Sequence, residues 1–148
     1  MPHRFQDQNH RLSHFQDHVD VVCRGCGKNA TATADHDKKE ARMYCLQCGY
    51  SKTVSTSVEV AGIRGDLQIA AHEYFGAKLW FAAPFKSEEF FAFNREHLDY
   101  LEAYISATLR EHTERSHFTL LEKLPRFYHE AKNREALLKL IAKLKTKK

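Results

Sequence analysis

The chain has 148 residues, enough for one compact domain or for a small stapled module with a slightly larger partner. It has no run of roughly eighteen apolar residues, which excludes a membrane-spanning helix. Its formal charge of +4 is uneven: residues 1–60 are nearly balanced, 61–122 are acidic, and 123–148 hold nine Lys/Arg against two Asp/Glu.

The first segment, residues 1–16, reads as a flexible, His-rich arm. His3, His10, His14 and His18 all precede the first cysteine, but their spacings match no metal-ligand pattern. Met1–Val19 also lacks an apolar stretch of signal-peptide length. The expectation is therefore a cytosolic (cytoplasmic) protein whose thiols stay reduced, where a cysteine framework is metal-binding or catalytic more often than disulfide-forming.

Residues 17–60 hold all four cysteines as two C-x2-C pairs, Cys23/Cys26 and Cys45/Cys48, with eighteen residues between the pairs. That spacing is the one expected of a four-cysteine zinc site. A tight turn within each pair places both sulfurs on one side of the backbone. Gly27 and Gly49, one after each pair, supply the positive φ that such a turn needs. The flanks are rich in β-branched residues and alternate: "HVDVVC", "KNATATA", "ARMYC" and "YSKTVSTSVEV" read as strands, and "DHDKKE" as a polar hairpin tip with a solvated His36. Two knuckles joined by such hairpins make a zinc ribbon. Four thiolates around one divalent zinc carry about −2 and leave no open position for a catalytic water, so the expected Zn2+ is single and structural. A ribbon this small buries too little apolar surface to fold alone, and metal binding is its main folding energy. The other readings of the pairs are disulfides or a redox motif; the redox motif calls for a C-x2-C at a strand-to-helix junction, and strands leave both pairs here.

Residues 61–148 read as a hairpin followed by helices. "AGIRGD" marks a boundary after Val60. "LQIAAHEYFG" is consistent with a short helix or an irregular packing segment. Trp80, Phe81, Phe85, Phe90, Phe91 and Phe93 then crowd into a hairpin; Glu88 and Glu89 would repel phosphate, so these rings read as core more than as a base-stacking platform. Asn94 is placed to cap a helix over 95–112, with Leu98, Leu101, Ile105 and Leu109 on one face and Arg110 at its C-terminal end. "TLLEKLPRFYHEAK" resumes a helical pattern, broken or restarted at Pro125. Asn133 is placed to cap a last helix with Leu137, Ile141 and Leu144 inward and Lys139, Lys143 and Lys147 as an outward i, i+4 row.

The fold class is thus α+β: an N-terminal four-cysteine ribbon of antiparallel hairpins, then an aromatic hairpin and two to three C-terminal helices. No nucleophile elbow, phosphate-cradling glycine loop or carboxylate pair is present, which points to a non-enzymatic binding protein without a small-molecule substrate. Two partner classes fit, the first being that of a nucleic-acid-associated or transcription-linked module. DNA or RNA would meet the ribbon's Arg24, Lys28, Lys38, Lys39 and Arg42 together with Lys139, Lys143 and Lys147. Alternatively, a protein partner or a second copy of the chain would dock on the ribbon's strand edge or on a helix face. A redox switch through the cysteine pairs is a third class.

The knuckles resemble the transcription factor IIB type of zinc ribbon. Leu79–Trp80, Asn94–His97–Leu98, Leu124–Pro125 and Ala131–Glu135 resemble a family of small bacterial zinc-ribbon proteins with a helical tail. The resemblance implies a ribbon, helices and zinc, and it brings no established activity. In the related chains a Cys-Cys-Gly turn follows the hairpin proline; here Phe85, Lys86 and Ser87 stand in its place.

Overall fold

The computed structural model describes residues 4–5, 13–106, 109–110 and 125–147. It is α+β with antiparallel sheets. Strand β1 (Arg4–Phe5) and helix α1 (Ser13–Gln16) precede a four-stranded antiparallel sheet in the order β2 (His18–Val22), β3 (Asn29–Asp35), β4 (Glu40–Tyr44) and β5 (Ser51–Ser55). Alternation decides its two faces. Val19, Val21, Ala30, Ala32, Ala41 and Met43 point inward and are at most 3% exposed. Across the other face run Thr33, Arg42 and Thr53 in one cross-strand row and Thr31, Tyr44 and Ser51 in the next. The polar tip between β3 and β4 forms as expected, with Asp35 accepting the Asp37 and Lys38 N–H groups.

Ala61 and Gly62 do not mark a boundary. Both adopt positive φ, 52° and 80°, and turn a second hairpin of β6 (Ser57–Val60) and β7 (Ile63–Asp66). The segment after it is a 3-10 turn, Ala71–Phe75, packed under the sheet and closed by Gly76 at φ 61°. The aromatic hairpin is β8 (Phe81–Phe85) and β9 (Glu88–Ala92), followed by α2 (Arg95–Ser106) and, after 3-10 turns at Arg126–Tyr128 and Ala131–Asn133, by α3 (Arg134–Lys145). Trp80, Phe81, Phe85, Phe90 and Phe93 are buried, and Phe85 and Phe90 stack on Phe127 and Tyr128. These rings are core. The inner sheet face, the 3-10 turn, the hairpin and both helices share one hydrophobic cluster.

Several expectations are corrected in detail. The described part of α2 ends at Ser106, and Leu109–Arg110 form a short strand, β10, parallel to β1 rather than a helix end. Of the arm, Ser13–Gln16 is helical and Phe15 is 1% exposed, stacked on His97 with centroids 4.6 Å apart. Asn133 sits at the start of α3, but its side chain does not cap. Its Nδ2 donates to the Phe127 carbonyl at 3.2 Å, and its Oδ1 accepts from Lys86 Nζ at 2.5 Å, fastening the β8–β9 tip to the last helix. The helical pattern expected over 119–124 lies outside the described residues.

Asn94 caps α2 as expected: Oδ1 accepts the His97 N–H at 2.7 Å while Nδ2 donates to the His18 carbonyl at 2.7 Å. One buried side chain therefore starts the helix and ties it to the sheet. Replacing it with Ala is expected to cost about 2–4 kcal/mol, the sum of a lost cap and an orphaned buried carbonyl. Asn94→Asp keeps the cap acceptor but turns a buried carboxylate oxygen toward the His18 carbonyl, so it should not recover the loss, both read by urea unfolding. His97 is equally committed. Its Nδ1 accepts the Phe93 N–H at 2.9 Å, and burial alone holds its pKa down to about 3. A histidine kept neutral when folded destabilises the native state once the unfolded chain protonates, so stability is complete above about pH 6.5 and declines below it. Between about pH 7.5 and 5.5 this site should remove about 1.4 kcal/mol, a slope absent from His97→Gln.

Candidate metal centre

The site is built from two copies of one turn. In the first, Cys23 N–H donates to the Lys28 carbonyl at 2.8 Å, and Gly27 N–H to the Cys23 carbonyl at 3.0 Å. In the second, Cys45 N–H donates to Tyr50 at 2.8 Å and Gly49 N–H to Cys45 at 3.0 Å. Gly27 and Gly49 hold φ of 74° and 82°, so the residue type expected at these positions is required there. The first knuckle joins β2 to β3 and the second joins β4 to β5. The sheet therefore brings them together at one end.

All four sulfurs lie within 4.8 Å of one another. Across the knuckles, Cys23 Sγ is 3.6 Å from Cys48 Sγ, and Cys26 Sγ is 3.7 Å from Cys45 Sγ. A regular tetrahedron of thiolates at the usual zinc–sulfur length has edges of roughly 3.8 Å. The donors thus fit one tetrahedral ion, and the four cysteines are free thiols rather than disulfides. Cys23 and Cys45 are buried, whereas Cys26 and Cys48 face solvent. Backbone donors surround the cluster; Gly25 N–H lies 3.2 Å from Cys23 Sγ. Gly25 is also a close approach that the sequence did not signal, since a Cβ there would sit 3.3 Å from Cys48 Sγ.

The protonation pattern follows from crowding. Burial alone would raise the Cys23 thiol, but the N–H groups of Cys26 and Gly25 and the thiols of Cys48 and Cys45 outweigh it and bring Cys23 down to about 7. At Cys48 the Tyr50 N–H favours the thiolate, yet the neighbouring Cys23 sulfur, burial and the other two sulfurs push it up to about 12. Four negative sulfurs cannot coexist here without a cation.

Of the expected basic residues, Lys38 and Arg42 line one depression of the outer sheet face, together with Asp35 and Glu40. Arg24 and Lys28 lie at the knuckle end of the sheet, Lys38 and Lys39 at the opposite tip, and Arg42 mid-sheet with its guanidinium 5.1 Å from the Tyr44 ring centre. Lys139 pairs with Glu135 at 3.5 Å, and Lys143 is exposed. Lys147 leaves the expected outward row because α3 ends at Lys145. Its Nζ donates to the Trp80 carbonyl at 2.9 Å and lies 4.3 Å from the Trp80 ring centre. Lys145 bridges α3 to α2 through Glu102 at 2.7 Å and Asp99 at 2.9 Å.

Sequence reasoning also missed a latch at the far end of the four-stranded sheet. His36, expected to be solvated, shares a hydrogen bond of 2.7 Å with Asp66 and lies 3.4 Å from Asp17, while the buried Thr56 hydroxyl donates to the other Asp66 oxygen. No local pattern announces a contact between residues thirty positions apart. The β6–β7 hairpin, by contrast, left a signal: Val58, Val60 and Ile63 alternate around Ala61–Gly62. On the structure they are 38%, 71% and 75% exposed. Comparison with protein-family models, curated proteins and solved structures finds no match for this chain. No helix among the described residues is long and apolar enough to cross a membrane.

Two outcomes test the centre. Removing one ligand by Cys26→Ser should weaken metal binding by roughly 100-fold or more, since a structural site contributes about 10–16 kcal/mol over four ligands. Because thiols such as Cys48 must lose protons on loading, apparent affinity should rise more than tenfold per pH unit between about pH 6 and 8, read by chelator competition.

Proposed function

We propose that the chain is a non-enzymatic zinc protein in which one structural Zn2+ closes a four-cysteine ribbon, and that the ribbon acts as a protein-interaction module. The convergence of four sulfurs supports the first half of this reading: a zinc held by all four would have no position left for substrate or water. The second half is supported by surface chemistry. The outer sheet face mixes Arg42 and Lys38 with Asp20, Asp35 and Glu40, whereas the β6–β7 hairpin and the second knuckle carry exposed Val60, Ile63 and Leu46. Protein surfaces accept that mixture; a phosphate backbone requires a continuous basic track.

Nucleic-acid association is the second reading, favoured by Arg42 stacked beside Tyr44 on an open, hydroxyl-rich sheet. Metal analysis of protein purified without added metal, followed by titration with labelled single strands, duplex DNA and RNA, separates the two. The expected result is one zinc per chain and no binding tighter than about 100 µM at about 0.15 M salt. Tight binding that weakens steeply with salt and is lost in Arg42→Ala would replace the protein reading with the nucleic-acid one. An absence of zinc from folded protein would overturn both.

A further inference from the structure

The two edges of the four-stranded sheet are treated differently. Strand β2 is covered by the chain itself: Val22 N–H donates to the Lys78 carbonyl at 2.9 Å, Trp80 N–H to Asp20 at 2.9 Å, and Asp20 N–H to Phe93 at 2.7 Å. Strand β5 pairs with β4 and with no other strand among the described residues. Which of its backbone groups are free follows from two hydrogen bonds. Cys45 N–H donates to Tyr50, and Thr56 N–H donates to Lys39, so residues 50, 52 and 54 and the Thr56 amide turn toward β4, while the Thr56 carbonyl accepts the Leu67 N–H at 2.8 Å. Ser51, Thr53 and Ser55 therefore turn theirs outward, and all three are exposed. Among the described residues nothing blunts this edge except Lys52; it carries no proline, and its Thr, Val and Ser residues suit a strand.

We infer that β5 is a self-pairing edge: two copies of the chain join antiparallel through β5, centred on Thr53, into one continuous sheet. The register is set by chemistry. Centring on Thr53 pairs the whole strand, with Thr53 opposite Thr53 of the second copy, Ser51 opposite Ser55, and Lys52 opposite Val54. No like charges meet, and the Lys52 methylenes can lie along the half-buried Val54. Centring one residue nearer the knuckle would set Lys52 against Lys52. A second feature points to the same occupant. Within one chain, the exposed Leu46 of the second knuckle precedes β5 and the exposed Val58 and Val60 follow it, so these apolar residues sit at opposite ends of the strand. Antiparallel pairing brings the start of one β5 beside the end of the other. It thereby gathers Leu46 of each copy and the apolar hairpin of its partner at the same end of the joined sheet, twice. An edge of this length alone buries less than a standard interface, so the association is of the weak, concentration-dependent class. Self-pairing through β5 is independent of whether the module's other partner is protein or nucleic acid.

Sedimentation velocity on the zinc-loaded full chain tests it, over about 5–500 µM. The expected result is a monomer at the low end and a doubled mass at the high end. Thr53→Glu and Thr53→Lys each place like charges opposite one another and should weaken dimerisation at least about tenfold, while an equimolar mixture of the two restores it. The Thr53 side chain lies on the exposed face, so both variants should keep one zinc and the wild-type circular dichroism. A wild-type protein that stays monomeric to about 500 µM overturns the inference. So does a dimer that both variants form as tightly as wild type, because the association would then use another surface. Failure of zinc-loaded, folded variants to recover in the mixture overturns the Thr53-centred register and with it the proposed pairing.

Discussion

Four sulfurs held within 4.8 Å of one another are the constraint on which this structure turns. Thiolates that close repel strongly, and the cluster exists only as a set of shared protons or around a cation. The knuckles contribute little apolar burial of their own: Gly27, Gly49 and the residues between each cysteine pair are exposed. What they fix is geometry. Each knuckle closes the end of a strand pair, so bringing the sulfurs together aligns β2 with β3 and β4 with β5. The alternation along those strands then delivers Val19, Val21, Ala32, Ala41 and Met43 to one face. The remainder of the core is laid on that face.

The four-stranded sheet is fastened at both ends, by different chemistry. At one end the sulfurs converge. At the other, His36 stands between Asp66 and Asp17, Thr56 anchors Asp66, and the Tyr74 hydroxyl donates to the Leu67 carbonyl. The second fastening holds the base of the β6–β7 hairpin against the β3–β4 tip, so an exposed two-stranded element is rooted rather than isolated. Two-stranded hairpins are marginal alone in water, and this polar root supplies the support that its own apolar face lacks. The interior is sealed further by helices that meet through Lys145 and its two carboxylates, and by Lys86 reaching Asn133 across the hairpin tip.

What could be read from the sequence was whatever rests on short-range spacing. The cysteine pairs, the glycines that follow them, the β3–β4 tip, the aromatic hairpin and the Asn94 cap are all encoded within a few residues of one another. The misreadings share the opposite property. Asn133 has the right identity and position for a cap, yet Lys86 and the Phe127 carbonyl compete for its side chain. Ala61–Gly62 reads as an interruption because closely spaced glycines commonly punctuate a chain, whereas here Gly62 turns a hairpin and Gly65 lies within its second strand. Phe15 is hidden among polar neighbours, and only the ring of His97, far along the chain, makes it core. Lys147 belongs to a helical row only if the helix continues, and it ends two residues earlier.

Trp80 is the chain's single tryptophan, and its position makes it an internal reporter. Its N–H belongs to the sheet edge through Asp20, its carbonyl and ring receive Lys147 from the end of α3, and its side chain lies in the shared core. An ammonium over an indole face alters its excited state, so the emission of this one residue reads sheet, hairpin and tail together. Detachment of the tail alone would change the indole's electrostatic surroundings while leaving its backbone pairing in place. Separation of the sheet edge would instead expose it to water, giving two distinguishable optical signatures for loosening at either end of the molecule.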